Sequence, residues 1–407
     1  MKGLNFGVIG IGQGGVNIAD VFAKTFPAIA INTAPQDLQG LSNIKTDLRI
    51  HTEITAGGGA GKDIRLGEKA IRKHEEKVTN ATRLNFAETD YIWLTVGLGG
   101  GSGTLGVVQL SRILSILNKK HGIICTIPAR DEGTNEVVNA MTGIYMIEQA
   151  RKQFNQLRSI IMIDNEKLKN YVLDNYNVSY ENFWNKANEY IYNSFFDLYE
   201  YSQKSSITSF DTTDYIKLFD KRGYMLFGKG KIEEIENKSE TALVSEVKNL
   251  WKDGIFTNGL DVKKAKGIAI VVNRPSSYDK DGKVINRLFS EIKKDFGAGS
   301  FCRGVYSNGN KITEFVKSKP VEVFTLLAGM PIPIEQINRI KNIAESEHQR
   351  YQEKELEIEL EFDKNIVLDI LEEKPQENNP TNKDLYFFDE PLNNVKEIKW
   401  KGFEDVK

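Results

Sequence analysis

The chain has 407 residues and a formal net charge of −2, with 40% hydrophobic and 27% charged residues. This composition is ordinary for a globular protein and allows two or three domains. The near-zero charge excludes a global attraction to nucleic acid or to an acidic membrane surface. No apolar run approaches the roughly 18 residues of a membrane span, and no leader pattern precedes the first predicted strand. We therefore expect a cytoplasmic protein with no membrane partner.

Strand and helix patterns alternate through the first 165 residues, which predicts an α/β fold with a doubly wound parallel sheet. The predicted strands are Leu4–Ile9, Ala28–Ile31, Tyr91–Val96, Gly122–Ile127 and Ser159–Ile163. The predicted helices are Gly15–Lys24, Asp63–His74, Leu105–Lys119 and Glu132–Gln156. Cys125 and Cys302 lie in or beside apolar runs, so we expect buried free thiols. We assign residues 1–176 to this first domain.

One long helix is predicted over Asn177–Gln203, within a central segment at 177–205, and Ser179 is placed to cap it. Its apolar face predicts core packing; the face consists of Trp184, Ala187, Ile191, Phe195 and Leu198. A second, smaller α/β domain is predicted at 206–333, with strands Tyr224–Phe227, Gly267–Val272 and Val321–Leu327 and helices Glu236–Trp251 and Lys283–Phe296. A long charged C-terminal helix at 334–372, clearest from Ile334 to Glu361, and a flexible tail at 373–407 complete the prediction.

The stretch Gly97–Thr104 follows an apolar strand pattern and precedes a helix pattern. Bare backbone N–H groups at such a turn converge on a phosphate, and the helix dipole adds partial positive charge. Ordinary turns rarely use so many consecutive glycines. This stretch therefore predicts an anion site.

A second glycine loop, Gly10–Gly15, also follows a predicted strand and satisfies the dinucleotide fingerprint G-x-G-x-x-G. A dehydrogenase would place an acid at the end of strand two, where this chain has Asn32-Thr33. A P-loop NTPase is disfavoured because Gly61-Lys62 is followed by Asp63. Two phosphate loops on one sheet favour a nucleoside triphosphate, and the third glycine cluster, Gly57–Gly61, is placed to close over its last phosphate.

In chain order these segments resemble the nucleotide loops of the tubulin/FtsZ family of GTPases. The matching segments are Gly12–Asn17, Ala30–Thr33 with Gln36–Leu38, Gly59–Gly61, Gly97–Thr104, Pro128 with Glu132-Gly133, Ile163–Asn165, the Trp184–Asn188 stretch of the long helix, and Ser209–Asp214. The resemblance spans about residues 3 to 330. It implies GTP and GDP as ligands, with Mg²⁺ held mostly through waters and no protein ligand for the metal assigned.

The resemblance also implies which residues bind the nucleotide. They are Gly12, Gln13, Gly14, Asn17, Asn32, Gly59, Ala60, Gly61, Gly99, Gly100, Gly101, Ser102, Gly103, Thr104, Pro128, Glu132, Asn165, Trp184 and Asn188. An asparagine side chain carries both a donor and an acceptor, which suits the edge of guanine. Asn165 and Asn188 are therefore predicted to read the base, and Trp184 to stack on it.

Two departures from the family pattern point to a divergent branch, most similar to the TubZ group of plasmid and phage partition proteins. Ser209 stands where the family usually has Asn, and Thr134–Glu136 lacks an Arg that FtsZ proteins usually carry. Resemblance to this group implies filaments that move plasmid or phage DNA. It also implies a DNA-binding adaptor protein as the partner of the tail.

Asp211 and Asp214 are the predicted catalytic residues, because carboxylates can position or polarise a water. Beside the GTP of their own subunit they would repel its phosphates. The resemblance implies instead that they complete the site of a neighbouring copy, and such a head-to-tail contact builds an open filament unless it closes. Acids at a helix N-terminus, favoured by the dipole, are the structural alternative.

The tail carries the aromatic clusters Tyr386–Phe388 and Ile398–Phe403, which suit a short motif that folds onto a partner. It has no strong basic run, so direct DNA binding is not expected. Three alternatives to the partition function stay open. They are an FtsZ-like cell-division GTPase, an NAD-dependent oxidoreductase that rests on Gly10–Gly15 alone, and a GTP switch that does not polymerise.

Overall fold

A mixed β-sheet forms the centre of the chain in the computed structural model. The structure describes residues 4–54, 58–206, 208–232, 241–257, 259–275, 278–279, 281–296, 299–307 and 320–357. Residues as far as Tyr351 form one compact unit, and the described part of the second unit is the end of the last helix. The tail at 373–407, with its aromatic motifs, lies outside the described residues, as do residues 358–372 of the predicted C-terminal helix.

Ten strands and thirteen α-helices are found in the described part of the chain. The strands are β1 (Phe6–Ile11), β2 (Ala28–Asn32), β3 (Arg49–His51), β4 (Tyr91–Gly97), β5 (His121–Ile127), β6 (Leu157–Asp164), β7 (Gly223–Ile232), β8 (Gly267–Arg274), β9 (Ser300–Ser307) and β10 (Val321–Met330). The helices are α1 (Gly12–Phe22), α2 (Pro35–Gln39), α3 (Ile64–Lys73), α4 (Glu75–Asn85), α5 (Gly101–Thr104), α6 (Gly106–Ile116), α7 (Thr134–Gln153), α8 (Asn165–Asn175), α9 (Tyr180–Ser202), α10 (Thr212–Phe219), α11 (Ala242–Asp253), α12 (Lys283–Phe296) and α13 (Ile334–Glu357).

The strands lie in the order β3-β2-β1-β4-β5-β6-β7-β10-β8-β9. β1 to β6 pair in parallel with their sheet neighbours, and β7 joins β6 in parallel at Ser159–Gly223. β10 runs antiparallel to both β7 and β8. The doubly wound α/β fold predicted from the sequence is confirmed. The strand order reverses at β1, with β2 on one side and β4 on the other, and such a switch point opens a crevice at the carboxyl ends of the strands.

The two predicted α/β regions share one continuous sheet, because β6 and β7 are directly paired. The domain boundaries that we assigned stay predictions. β9 was missed by the sequence analysis, since its Cys302, Gly304 and Tyr306 are buried while Arg303 is exposed, so the strand has no uniform apolar run. β3 is only three residues long and was missed for lack of length.

Several predicted boundaries were wrong by a few residues. The helix predicted over Leu105–Lys119 is α6, which begins at Gly106 and ends at Ile116, and the separate short helix α5 precedes it. The helix predicted from Glu132 begins at Thr134, because Glu132 and Gly133 form the turn before it. The prediction also missed α4 and α8, whose sequences are largely polar.

Helix α9 packs its apolar face on the sheet, as predicted for most of that face. Ala187, Ile191, Phe195 and Leu198 are each no more than 3% exposed. Phe195 makes edge-to-face contacts with Phe6 and Phe22. Trp184 is the exception at 43% exposed. Ser179 lies at the predicted cap position, but its side chain does not cap the helix, since its Oγ instead accepts from Asn182 Nδ2 at 3.2 Å.

Both cysteines are buried free thiols, as predicted. Burial raises the pKa of Cys125 to about 12. Within the described residues, no helix combines the length and the apolar character that crossing a bilayer requires.

Candidate functional site

A cleft of about 550 Å³ opens at the carboxyl ends of the parallel strands, on both sides of the β1–β4 switch point. Its walls come from the segments that follow β1, β2, β4, β5 and β6 and from the first half of α9. The lining residues are Gly12, Gln13, Gly14, Asn17, Ile18, Asn32, Ala34, Asp37, Gly59–Lys62, Gly97–Gly103, Thr126, Glu132, Glu136, Asn165, Leu168, Trp184 and Asn188. Segments far apart in sequence therefore converge because parallel strands end at the same edge.

Gly12 begins α1 directly after β1 and shows why the first loop needs glycine. Its φ is +69°, a conformation that side chains rarely adopt. A Cβ here would also lie 2.9 Å from the backbone N of Gly103, in the loop after β4. The residue before α1 is Ile11, which offers no side-chain cap, so this helix start meets the cleft with bare N–H groups. Such a start suits an anion.

The loop after β4 is held by Thr104, which points into the protein and not into the cleft. Its Oγ1 accepts from the backbone N of Gly99 at 3.0 Å and donates to the carbonyl of Gly100 at 2.6 Å. Gly99 has a φ of +116°, and a Cβ on it would meet the carbonyl oxygen of Glu136 at 3.0 Å. Thr104 therefore shapes this loop from inside the protein. It does not line the cleft, although it was predicted to bind the nucleotide there.

The loop after β2 forms hydrogen bonds to both of the glycine segments that contain Ala60 and Ser102. The Thr33 Oγ1 lies 2.5 Å from Ser102 Oγ and accepts from the backbone N of Ala60 at 3.0 Å. Asn32 is buried, and its side chain donates to Asp37 at 2.7 Å and accepts from the backbone N of Thr33 at 2.8 Å. Asn32 thus sets the shape of this turn while it also lines the cleft.

At the other end of the cleft, Asn165 is oriented by Glu132. The Asn165 Nδ2 donates to Glu132 Oε1 at 3.0 Å, and the same oxygen accepts from the backbone N of Ala129 at 2.9 Å. Asn165 Oδ1 is buried without a hydrogen-bond partner. A buried carbonyl oxygen without a donor costs free energy, so this atom is suited to a ligand that brings N–H groups.

Trp184 and Asn188 lie one helical turn apart on α9, so both face the end of the cleft where Asn165 lies. Asn188 is 8% exposed, whereas 43% of Trp184 is open to solvent. An indole face beside two amide side chains can stack on a planar heterocycle and hydrogen-bond its edge.

Asp164, the last residue of β6, anchors the segment that presents Asn165. Its Oδ1 accepts from the backbone N of Glu166 at 2.9 Å and thereby caps α8. Its Oδ2 accepts from Gln336 Nε2 at 2.7 Å and from Arg339 Nη2 at 2.8 Å. The segment that presents Asn165 to the cleft is thus joined to α13.

The acidic pair Asp211 and Asp214 lies away from the cleft. Asp211 caps α10, since its Oδ1 accepts from the backbone N of Asp214 at 3.0 Å. α10 ends beside the start of β6, where Ser159 Oγ donates to the carbonyl of Phe219 at 3.0 Å. The cleft is at the opposite end of β6, and the intervening α9 has 23 residues, about 34 Å at about 1.5 Å per residue.

The neighbours of this pair are a lysine and a thiol. Lys217 lies 3.5 Å from Asp214. Burial, with the nearby carboxylate of Asp214, raises the pKa of Cys302 to about 12. Ser209 is turned away from the acids, because its Oγ donates to the carbonyl of Ser206 at 2.9 Å.

Among the predicted nucleotide residues, Thr104 and Pro128 are the two that do not line the cleft as the structure describes it, and both are buried. Asp37, Lys62 and Glu136 also line the cleft, although they were not among the predicted site residues. Lys62 follows a glycine cluster, which was a usable signal. No local pattern around Glu136 indicates a site, because its position at the cleft depends on how α7 packs against Gly99.

Comparison with known proteins finds relatives in the family that the sequence resembles. Residues 5–172 match the family described as "Tubulin/FtsZ family, GTPase domain". A "Tubulin-like protein TubZ" of Bacillus cereus is 25% identical over 417 residues, covering 95% of this chain and 93% of the relative. A "Tubulin-like protein CetZ" of Pyrococcus horikoshii is 26% identical over 331 residues, covering 79% of this chain and 85% of the relative.

Solved structures of such proteins share the fold. A GTPγS-form protofilament of TubZ from Bacillus thuringiensis serovar israelensis superposes with a TM-score of 0.74 at 21% identity, over 87% of this chain and 94% of that chain. A GDP-bound CetZ1 monomer from Haloferax volcanii gives a TM-score of 0.66 at 21% identity, over 85% of this chain and 100% of that chain. The family resemblance predicted from the sequence is confirmed.

Proposed function

Since residues 5–172 match the GTPase domain of the Tubulin/FtsZ family, we propose that this protein binds and hydrolyses GTP in the cleft and polymerises head to tail into filaments. We further propose that these filaments segregate plasmid or phage DNA in the cytoplasm. The observation that carries the GTP assignment is a single cleft with glycine loops at one end and a buried, unpartnered asparagine oxygen at the other.

A guanosine nucleotide fits both ends of this cleft. The N–H groups at the start of α1 and in the loop after β4 suit the phosphates. Guanine carries N–H donors on its edge, and Asn165 Oδ1 is an acceptor that lacks one. Trp184 supplies a stacking face and Asn188 a second amide. The cleft thus has groups for the phosphates at one end and groups for the base at the other, which supports the nucleotide-binding role of the residues that we predicted.

Mg²⁺ accompanies the nucleotide in this proposal. The part of the chain that the structure describes contains no group of three or more His, Cys, Asp or Glu residues placed to hold a metal ion. We expect the ion to be carried by phosphate oxygens and waters, which is how Mg²⁺ is commonly bound. The ion would neutralise charge on the phosphates.

The position of Asp211 and Asp214 supports a site completed by a neighbouring copy. The C-terminal end of α10 lies at the start of β6, the cleft lies at the other end of that strand, and neither acid lines the cleft of its own subunit. Stacking one copy on the next would bring these acids to the next cleft. Such a contact is heterologous and extends into a filament unless it closes.

The DNA-partition role rests on similarity. The relative from Bacillus cereus is named TubZ, and one similar structure is titled "Protein structure of type III plasmid segregation TubZ". We propose an adaptor protein, bound by the tail at 373–407, as the link to DNA. Filaments alone are then expected not to co-sediment with duplex DNA at physiological salt, and co-sedimentation without any other protein would contradict the adaptor.

The experiment that tests the core of the proposal measures nucleotide preference and sedimentation together. We expect the full chain to bind GTP in preference to ATP and NAD, to release phosphate, and to pellet on addition of GTP. Binding of NAD instead would favour the oxidoreductase alternative. Tight GTP binding without pelleting at any protein concentration would favour a monomeric GTP switch.

A further inference from the structure

Lys62 has an unusual backbone at the edge of the cleft. Its φ is +67°, directly after Gly61 at +55°. A lysine rarely adopts this conformation, and non-glycine residues that do so concentrate at functional positions. The side chain of Lys62 is 57% exposed, so core packing does not account for the strain.

The backbone of Lys62 is fixed against the phosphate loop. Asn139 Nδ2 donates to the carbonyl oxygens of Lys62 and Gly99, at 2.9 Å in each case. A Cβ built on Gly101 would lie 3.0 Å from the Cα of Lys62. The start of this lysine side chain is therefore held in contact with the glycines that face the phosphates.

The charges in the cleft make Lys62 distinctive. Asp37, Glu132 and Glu136 are acidic, and Lys62 is the one basic side chain among the described lining residues. A triphosphate brings several negative charges into this acidic wall. Asp37 and Glu132 accept hydrogen bonds from the side chains of Asn32 and Asn165, whereas Glu136 forms an ion pair with Lys62.

We propose that Lys62 is a phosphate-binding residue that exchanges Glu136 for the terminal phosphate of GTP, and so distinguishes GTP from GDP. The inference rests on the proposed GTP function. The exchange needs only side-chain rotation, because Asn139 holds the backbone. A partly exposed ion pair contributes little because solvent competes for both partners. A terminal phosphate offers more charge and more acceptor oxygens, and so forms stronger charge-assisted hydrogen bonds.

The test compares GTPγS and GDP binding to the full chain by calorimetry, in the presence of Mg²⁺. Lys62→Gln is expected to weaken GTPγS binding about ten- to hundredfold, the usual effect of losing a hydrogen bond to a charged group, and to change GDP binding little. Lys62→Arg should restore most of the preference for GTPγS. Glu136→Gln removes the competing acid and should tighten GTPγS binding relative to GDP binding.

Lys69→Gln is the matched control, because Lys69 is an exposed lysine of α3 that does not line the cleft. It should change neither affinity. If Lys62→Gln weakens GTPγS and GDP equally, or weakens neither, Lys62 does not read the terminal phosphate and the inference is wrong. If the wild type binds neither nucleotide, the proposed GTP function itself fails.

Discussion

The carboxylate of Asp164 accepts from Arg339 at 2.8 Å, although 175 residues separate the two in the chain. The Asp164 side chain is only 4% exposed. The ion pair joins the residue before Asn165 to helix α13. Gln336, on the same helix, adds a hydrogen bond of 2.7 Å from its Nε2 to Asp164 Oδ2. The segment that presents Asn165 to the cleft is therefore supported by a helix that follows the second half of the sheet.

Removing Arg339 is expected to destabilise the fold and loosen the base site. Arg339→Met keeps the apolar stem but leaves the buried Asp164 charge without its cation, at a cost of about 1.5–3 kcal/mol in the free energy of unfolding. Urea unfolding, compared with Arg339→Lys, measures this cost. GTP affinity should also fall, since Asp164 holds the segment of Asn165. An unchanged unfolding free energy would show that the ion pair is not stabilising.

Asn165 is expected to decide base selectivity. Asn165→Ala removes the unpartnered Oδ1 and should reduce GTP affinity about ten- to hundredfold while affecting ATP affinity little. Competition binding with the two nucleotides measures the ratio. Asn175→Ala, at the exposed end of the same helix, is the control. Equal loss for both nucleotides would assign Asn165 to loop structure and not to base reading.

The catalytic role of Asp211 has to be separated from its role as a helix cap. Alanine removes both functions and should cost about 1 kcal/mol of stability, whereas asparagine caps as well as aspartate. We therefore expect Asp211→Asn to fold and pellet with GTP like the wild type but to release phosphate at a greatly reduced rate. Wild-type turnover by Asp211→Asn would leave Asp211 only its capping role.

Mixing two defective variants tests whether neighbouring copies share a site. Asp211→Asn keeps an intact cleft, and the double variant Trp184→Ala/Asn188→Ala keeps intact acids. A mixture should regain GTPase activity, because the acids of the double variant can then meet the cleft of Asp211→Asn. No recovery, in a mixture shown to co-pellet, would contradict completion of the site by a neighbour.

The buried His121 predicts a dependence of stability on pH. Its Nε2 lies 2.7 Å from Ser111 Oγ and its Nδ1 lies 2.9 Å from the carbonyl oxygen of Lys119, so the neutral ring is fully bonded. Burial lowers its pKa from 6.5 to about 4. Between these values the unfolded chain binds the proton and the folded chain does not, so the free energy of unfolding falls as the pH is lowered from 6.5 to 4.

The free energy of unfolding that is lost through His121 is at most about 3 kcal/mol, because each unit of pKa difference between the folded and unfolded chain corresponds to about 1.4 kcal/mol. Urea unfolding across this pH range measures it, with His121→Gln as the comparison, because a neutral amide cannot take up the proton. The difference between the two proteins should shrink as the pH falls. A difference independent of pH would mean that His121 is charged in the folded state or titrates normally.

The sequence by itself determined the parallel sheet, the glycine loops and most of the residues that line the cleft. Those features are local: an apolar strand followed by glycines and a helix start fixes the loop at the strand's end, and parallel strands bring such ends together. Gly12 could therefore be expected at the cleft from its neighbours alone, whereas Asn165 and Trp184 were placed there through the family resemblance of their segments.

Only the tertiary structure decided which side chains meet across the fold. That Thr104 turns inward, that Lys62 pairs with Glu136, and that Asp164 binds Arg339 all depend on how separate elements pack. The same holds for the opposite placement of Asp211 and the cleft, which follows from the direction of α9 along the sheet. Hydrophobic periodicity records which face of an element is buried, but not which element covers it.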